Sequence, residues 1–275
     1  MATTEIERAF AKTPVGRIHY AEAGEGEPVL FLHQTPRSWD EFRDVIPVVA
    51  AGGYRAIAMD TIGFGDSDKP DEPSSLPLFG AGVIGLLDAL QIDRTHLVGH
   101  HTGGVVAVEV AGSHPERVRK LVLSGTTCPD EEGRKREWPT IDEVEVKPDG
   151  SHLTELWQKR EWFYPKDQPD LLTRFVIDAL KRGLDRVEDG HSAVNAFHIE
   201  DRLPNIKGPV RLICGSEDWA ARPDQEKLQR YLPQAEYVEV AGGMIPLDEQ
   251  MPRRFAELVL EFLVRADSTG PAEPA

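Results

Sequence analysis

The sequence contains only two cysteines, Cys128 and Cys214, and they lie far apart with no C-x-x-C spacing. This scarcity excludes a disulfide scaffold and a thiolate metal ribbon. Each cysteine adjoins an apolar run, so we expect two buried free thiols. The N-terminal residues MATTEIERAFAKT carry no apolar signal-peptide core. Together these features predict a protein of the reducing cytoplasm.

Basic residues are also scarce, with 31 lysines and arginines against 47 acidic residues and a formal charge of −16. A field of this sign repels phosphate backbones and anionic lipid headgroups, so nucleic acid and membrane surfaces are excluded as partners. No apolar run reaches the roughly 18 residues of a membrane span. We therefore expect a small-molecule substrate, with no cofactor and no metal, and leave open whether the chain forms a homodimer.

Strands rich in Val, Ile and Leu alternate with helical segments over most of the chain. The strand-like runs include PVLFLH, YRAIAMD, THLVGH, RVRKLVLS and PVRLICG, and helical spacing follows several of them, as in LFGAGVIGLLDALQI. Apolar strands separated by helices are typical of a parallel sheet that is covered on both faces. The sequence therefore predicts the α/β class, with a mostly parallel central sheet.

One long segment, residues 129–205, breaks this alternation with helical patterns such as LTELWQKREWF and LLTRFVIDALKRGL. We interpret it as an inserted helical lid, because ligands of open α/β sheets bind beyond the carboxyl ends of the strands. The predicted core domain comprises residues 1–128 and 206–265. Residues 266–275, a Pro-rich and polar stretch, are predicted to be a disordered tail.

The stretch LVGHHTGG, residues 97–104, has the pattern of a sharp turn between a strand and a helix. Gly99, Gly103 and Gly104 suit a turn that holds its central residue, His101, in a strained and exposed conformation. The new helix N-terminus directs backbone N–H groups towards any anion that forms there. A residue in such a turn is a candidate for chemistry.

At this point the chain resembles the α/β-hydrolase family, whose nucleophile elbow has this strand, turn and helix. FLHQTP resembles the family's oxyanion segment, and DTIGFGDSDKP resembles a loop of the haloalkane dehalogenase and epoxide hydrolase branch. CGSEDWA is similar to the turn that carries the triad acid, so the resemblance gives that role to Asp218. It also implies the fold predicted above.

The chain departs from the family at the catalytic positions. His101 stands where the nucleophile is Ser, Cys or Asp, and Met244 stands where the catalytic histidine belongs. An imidazole at position 101 reaches further than a serine hydroxyl, into the space left at Met244 and towards Asp218. We therefore predict a His101–Asp218 acid/base dyad. The alternatives are a structural His101, an Asp218 that only caps a helix, and a metal site of His33, His101 and Asp218.

Five further residues are predicted to bind the substrate. The backbone N–H groups of Gln34, Thr35 and Thr102 are candidates for an oxyanion hole, and the Gln34 side chain adds an amide donor. Trp39 and Met244 are expected to line the pocket as apolar walls.

Neighbouring histidines and one aspartate receive structural roles. His100 is expected to pack beside the strand, because successive strand residues point to opposite faces. His33 is interpreted as a turn stabiliser, and Asp60 as a partner of its own Gly-rich loop. Of the lid aromatics, Trp157, Trp162, Phe163 and Tyr164, each is either a pocket residue or part of the lid core.

The predicted reaction is hydrolysis of an ester or lactone, with the His101–Asp218 dyad acting on a small, moderately apolar carbonyl substrate. Fold does not imply function, so two other classes stay open. One is a lyase, isomerase or cofactor-free oxygenase that works by proton abstraction, resembling the cofactor-independent dioxygenases of this fold. The other is a small-molecule binding protein derived from a hydrolase that has lost catalysis.

Overall fold

The computed structural model describes residues 4–135 and 142–264. In these ranges the strands are β1 (Glu7–Thr13), β2 (Gly16–Ala23), β3 (Glu27–Leu32), β4 (Tyr54–Met59), β5 (Thr95–His100), β6 (Val118–Ser124), β7 (Val210–Gly215) and β8 (Glu236–Val240). The helices are α1 (Ile46–Ala51), α2 (Leu76–Ala89), α3 (Thr102–Ser113), α4 (Glu131–Lys135), α5 (Ser151–Arg160), α6 (Pro169–Arg182), α7 (Asp189–Ala196), α8 (Gln225–Tyr231), α9 (Leu247–Gln250) and α10 (Pro252–Leu263).

The strands form one sheet in the order β1-β2-β4-β3-β5-β6-β7-β8. The pairs β1/β2 and β2/β4 are antiparallel, and every later pair is parallel. The strands β3, β5, β6 and β7 are almost wholly buried, as expected where helices cover both faces of a sheet. The predicted α/β class and mostly parallel sheet are confirmed.

Alternate residues of each central strand enter different cores. Leu30 and Leu32 of β3 pack with α2 and α3, whereas Val29 and Phe31 pack with α1 and α10. This division follows from the two-residue period of a strand. The sheet is thereby the middle layer of three, and the carboxyl ends of β3, β5, β6 and β7 open on one edge.

The segment between β6 and β7, which we call the cap, contributes α4, α5, α6 and α7 at that edge. Its buried apolar residues, including Leu156, Phe163 and Phe175, form a cluster of their own. Cap and sheet are joined by a buried ion cluster in which Arg37 pairs with Asp178 of α6 and Glu249 of α9. The boundary residues of the lid stay a prediction, and the predicted tail, 266–275, lies outside the described residues.

Across the described part of the chain, no helix combines the length and the apolar character needed to cross a bilayer.

Candidate active site

The turn between β5 and α3 holds His101 at a positive φ of 46°. The glycines around it are required by packing. A Cβ on Gly99 would overlap the backbone of Gly103, and a Cβ on Gly103 would overlap the carbonyl of Leu32. The helix therefore begins against the end of β3, and the His101 side chain is directed out of the sheet beyond the strand ends.

His101 and Asp218 meet, with 2.8 Å between Nε2 and Oδ2. The Asp218 side chain is 1% exposed and that of His101 12%. Burial raises the pKa of the Asp218 carboxyl, but the charge and hydrogen bond of His101 and the Ala221 N–H outweigh it, so the pKa is lowered. The ionised carboxylate accepts from Nε2–H, which leaves Nδ1 of His101 as the basic nitrogen.

The second oxygen of Asp218 stabilises its own turn. Oδ1 accepts hydrogen bonds from the backbone N–H groups of Ala220 and Ala221, at 3.2 and 2.9 Å. Asp218 thus serves both of the roles considered for it, since one oxygen caps the turn while the other holds the imidazole. Its orientation is fixed from two sides.

Gly125, just after β6, allows the imidazole to reach the carboxylate. It has a φ of +52°, and a Cβ there would lie 2.7 Å from Nε2 of His101 and 2.8 Å from Oδ2 of Asp218. A larger residue would occupy the space of the hydrogen bond itself. The dyad therefore depends on a glycine from a third strand end.

The oxyanion donors differ from the prediction in one respect. The N–H of Gln34 donates to the Glu41 carboxyl, at 3.1 and 3.3 Å, and so cannot bind a substrate oxygen. For the N–H groups of Thr35 and Thr102, the described residues contain no acceptor. The Nε2 of the buried Gln34 side chain also has no partner there. The structure thus offers two backbone donors and one amide donor.

A cavity of about 540 Å³ lies between the strand ends and the cap. His101, Thr102, Gln34 and Thr35 line it from the sheet side. From the cap and the neighbouring loops it is lined by Thr127, Pro129, Asp130, Glu132, Gly133, Arg160, Phe163, Glu188, His191, Ser192, Val194, Asn195, Trp219, Ala220, Pro223, Asp224, Lys227 and Ile245. The basic nitrogen and the oxyanion donors therefore face one enclosed space.

Known proteins identify the family at this point. Residues 27–147 match the family described as alpha/beta hydrolase fold. The 2-hydroxy-6-oxo-6-phenylhexa-2,4-dienoate hydrolase of Comamonas testosteroni is 43% identical over 224 residues, which cover 73% of this chain and 74% of that enzyme. This chain belongs to the α/β-hydrolase family.

Other hydrolase relatives match over different shares of their length. Epoxide hydrolase 2 of Siraitia grosvenorii is 41% identical over 120 residues, and the match spans 43% of this chain but only 38% of that enzyme. A crystal structure of an enol-lactonase from Burkholderia xenovorans superimposes with a TM-score of 0.80 at 21% identity, covering 94% of this chain and 100% of the other. The structural likeness supports the fold, and the sequence relatives confirm the predicted family.

Two predicted pocket residues of this hydrolase lie elsewhere. The prediction for Trp39 is wrong, because its ring is buried in a core cluster and its N–H donates to Asp60 at 2.7 Å. The prediction for Met244 is also wrong, because the neighbouring residue, Ile245, lines the cavity from this loop. Met244 is half-buried, and its N–H donates to the side chain of Gln250 at 2.7 Å.

His100, beside the elbow, is wholly engaged in the interior. Its Nδ1 accepts from the Ser124 hydroxyl at 3.0 Å, and its Nε2 donates to the Ile245 carbonyl at 2.8 Å. Burial lowers the pKa of His100, despite the nearby Asp248. A neutral ring therefore ties the elbow to the loop after β8, in agreement with the structural role expected for it.

His33 and Asp60 also take the roles predicted for them. Nδ1 of His33 donates to the Gln34 carbonyl at 2.8 Å and Nε2 accepts from Thr61 N–H at 3.0 Å, while burial lowers its pKa. Asp60 accepts from His19 and from the backbone of its own loop at Asp66. With both ring nitrogens of His33 occupied, a metal site of His33, His101 and Asp218 is not formed.

Three other groups have ligand atoms within 4.8 Å of one another: His19/Asp60/Asp66, Glu41/His100/Asp248 and Asp142/Glu188/His191. Hydrogen bonds or a cation already account for each. His19 pairs with Asp60, and His191 with Glu188; His100 donates to a carbonyl, and Asp142 pairs with Arg160. We assign no metal to them.

The cap contributes site residues that the sequence reasoning missed. Glu188, His191, Ser192 and Asn195 all line the cavity, and their spacing of three, four and seven residues places them on one face of α7. That polar stripe was readable in EDGHSAVNA. Trp219, next to Asp218 and stacked on Trp162 at 5.1 Å, was the other missed wall. Of the four lid aromatics considered, Phe163 lines the cavity.

Proposed function

We propose that this α/β hydrolase cleaves an ester or lactone of a small, moderately apolar molecule, with the His101–Asp218 dyad as general base. The observation that carries this proposal is the 2.8 Å bond between Nε2 and Oδ2 at the wall of the cavity, inside the nucleophile elbow. The family, and the hydrolase names of its relatives from Comamonas testosteroni and Siraitia grosvenorii, support the hydrolytic class.

In the proposed reaction, Nδ1 of His101 removes a proton from a water molecule as the water oxygen attacks the carbonyl carbon. Asp218 stays ionised and stabilises the imidazolium that forms, as a buried triad carboxylate does. The carbonyl oxygen becomes negative in the tetrahedral intermediate. Collapse of the intermediate restores the carbonyl, breaks the bond to the leaving oxygen and places a proton on that oxygen.

The oxyanion of the intermediate is assigned to the N–H groups of Thr35 and Thr102 and to Nε2 of Gln34. Thr102 is the first residue of α3, so the helix dipole adds a positive potential at the same place. An unpaired donor such as Gln34 Nε2, in a residue that is 6% exposed, is costly unless a ligand accepts from it. A substrate oxygen is the acceptor we propose.

A second candidate is hydrolysis of a carbon–carbon bond in an oxo-dienoate. The relative from Comamonas testosteroni, matched over 73% of this chain, is named for a substrate of that type. This cleavage also requires an activated water at a carbonyl group, followed by a proton for the leaving carbon. The dyad supplies the first requirement in both cases, so the two candidates differ in the leaving group.

The dyad is tested by His101→Ala and Asp218→Asn, assayed with 4-nitrophenyl esters and with an oxo-dienoate. We expect His101→Ala to lower kcat by about 10³-fold or more, and Asp218→Asn by about 10²- to 10⁴-fold, because the amide cannot stabilise an imidazolium. His114→Ala is the matched control, since its side chain is 47% exposed and lies outside the cavity. Full activity of His101→Ala on a substrate that the wild type turns over would overturn the dyad.

The role of His101 as a base rather than a nucleophile has its own test. General-base catalysis leaves the enzyme unmodified, so intact-protein mass spectrometry of an acid-quenched reaction should show no acyl adduct. A mass increase equal to the acyl group, lost in His101→Ala, would assign an acyl-imidazole instead. Fluorophosphonate labelling of a serine would contradict both mechanisms.

We also propose a small-molecule substrate as the principal partner and the cytoplasm as the location. Both cysteines are buried and unpaired, which suits a reducing compartment.

A further inference from the structure

A second histidine–carboxylate pair faces the cavity from the cap. Nδ1 of His191 lies 2.7 Å from Oε2 of Glu188, three residues before it on α7. Both residues line the same cavity as His101. For Nε2 of His191, the described residues contain no hydrogen-bond partner, and the side chain is 31% exposed. The free nitrogen of the ring is therefore available to a bound molecule.

The carboxylate of this pair is ionised and fixed. Burial raises the pKa of Glu188, but the hydrogen bond and charge of His191, the Asp142 N–H and the Arg160 guanidinium outweigh it, so the pKa is lowered. Glu188 also accepts a hydrogen bond from the backbone N–H of Asp142. An ionised partner on Nδ1 favours the protonated form of an imidazole.

The position of α7 relative to the oxyanion segment is set by a close contact. A Cβ on Gly190 would overlap the Thr35 side chain, so the backbone of α7 rests directly against that residue. His191 follows immediately. The pair thus lies at the oxyanion corner of the cavity, on the cap side, while His101 lies on the sheet side.

His101 has one nitrogen free for proton transfer, because Asp218 occupies the other. That nitrogen takes the proton of the attacking water, which approaches from the sheet side. An alkoxide leaving group is strongly basic and needs a proton as its bond to the acyl carbon breaks. A separate donor on the cap side would supply this proton without requiring His101 to move.

We propose that His191, held as an imidazolium by Glu188, is the general acid that protonates the leaving group. This inference rests on the proposed ester or lactone hydrolysis. As the bond between the acyl carbon and the leaving oxygen breaks, the Nε2–H proton of His191 passes to that oxygen. At the end of the cycle His101 releases its proton to solvent and His191 takes one up, so the net reaction consumes one water.

The test compares two esters of the same acid, one with an ethyl group and one with a 4-nitrophenyl group, in wild type and His191→Gln. A nitrophenolate leaves without a proton, whereas an ethoxide does not. We expect His191→Gln to lose about 100-fold in kcat on the ethyl ester and less than about 3-fold on the nitrophenyl ester. His101→Ala should lose activity on both.

The matched control is His198→Gln. His198 belongs to the same part of the cap and also pairs with a glutamate, Glu200, but its side chain is 60% exposed and lies outside the cavity. We expect it to behave as wild type on both esters. Glu188→Gln is the second variant, since its amide oxygen can still accept from Asp142 N–H; it should lower turnover of the ethyl ester by about 10-fold while the nitrophenyl ester is spared.

The outcomes are distinct. Equal losses on the two esters in His191→Gln, or no loss on either, overturn the acid role and leave the dyad intact. Nitrophenyl ester turnover that does not depend on His101 overturns the proposed function, and the acid role with it. Circular dichroism and thermal unfolding establish that each variant is folded, and Glu188→Gln provides the same comparison if His191→Gln is not.

Discussion

His101 combines a side chain with a backbone conformation that few side chains adopt. Among the described non-glycine residues, only Gln91 and His101 have a positive φ. Such a conformation costs on the order of 1–3 kcal/mol and persists where the surroundings impose it. Here β5, α3 and the close contact of Gly103 with β3 impose it. The turn thus pays in stability for an imidazole presented to the cavity.

At this scale Gly125→Ala should separate the dyad while the fold remains. Its Cβ would lie 2.7 Å from Nε2 of His101, so we expect ester turnover to fall by about 100-fold. The positive φ of +52° adds roughly 1–2 kcal/mol of destabilisation. Steady-state kinetics and thermal unfolding measure the two effects.

Gly53→Ala controls for the backbone term alone. Gly53 has a φ of +90°, and nothing lies within 4 Å of the Cβ position. It should be destabilised similarly yet keep full activity. Wild-type turnover in a folded Gly125→Ala protein would contradict the dependence of the dyad on this glycine.

Among the elements, the cap is joined to the sheet by charge. Arg37, wholly buried beside the oxyanion segment, pairs with Asp178 of α6 and with Glu249 of α9. The Ser38 hydroxyl donates to Asp178 at 2.9 Å. Arg174 of α6 adds a bond to Asp40 at 2.7 Å. The residues that follow β3 therefore carry both the oxyanion donors and the attachment of the cap.

Arg37→Met should remove that attachment. Two buried carboxylates would lose their cation, which costs about 3–5 kcal/mol when one partner of a buried pair is removed. Urea unfolding measures the loss, and Arg254→Met, at a side chain that is 48% exposed, should change stability by less than about 0.5 kcal/mol. A shift of Arg37→Met no larger than that of the control would show that the cluster does not hold the cap.

For the molecule as a whole, a group of buried acids makes stability depend on pH. Burial, together with Asp248 and Glu249, raises the pKa of Glu41 well above its ordinary value. The protonated carboxyl can accept the Gln34 N–H and donate to Asp248, whose Oδ2 otherwise has no partner in the described chain. The folded protein therefore holds a proton that the unfolded chain releases above the ordinary glutamate range.

It follows that this group stabilises the fold at low pH and that its contribution falls as pH rises towards its folded-state pKa. Glu41→Gln keeps both hydrogen bonds without a proton to lose. We expect its free energy of unfolding to vary less than that of wild type between about pH 5 and 9, with the gain at the alkaline end. Glu116→Gln, at an exposed side chain, should retain the wild-type pH dependence. Parallel curves for Glu41→Gln and wild type would exclude a protonated Glu41.

The local sequence was sufficient for the alternation of elements and for the elbow. Both depend on short-range patterns: apolar runs of strand length, helical spacing, and glycines beside His101. The prediction that His101 meets Asp218 agrees with the 2.8 Å distance because the carboxyl ends of parallel strands share one edge of a sheet.

The errors arose where the direction of a side chain depends on distant partners. Trp39 turns into the core because Asp60 accepts its N–H, and Ile245 replaces Met244 at the cavity because the His100 ring binds its carbonyl. The N–H of Gln34 is consumed by Glu41, seven residues further on. Pairings of this kind leave no periodic signal in the chain.

By itself, then, the sequence determined an α/β hydrolase fold with an imidazole at the elbow, because backbone period and turn chemistry are local properties. Only the tertiary structure decided which donors stay free, which of two neighbours faces the cavity, and that His191 of the cap shares this cavity with His101. Those choices follow from which buried polar groups find partners across the fold, and each partner comes from a different element.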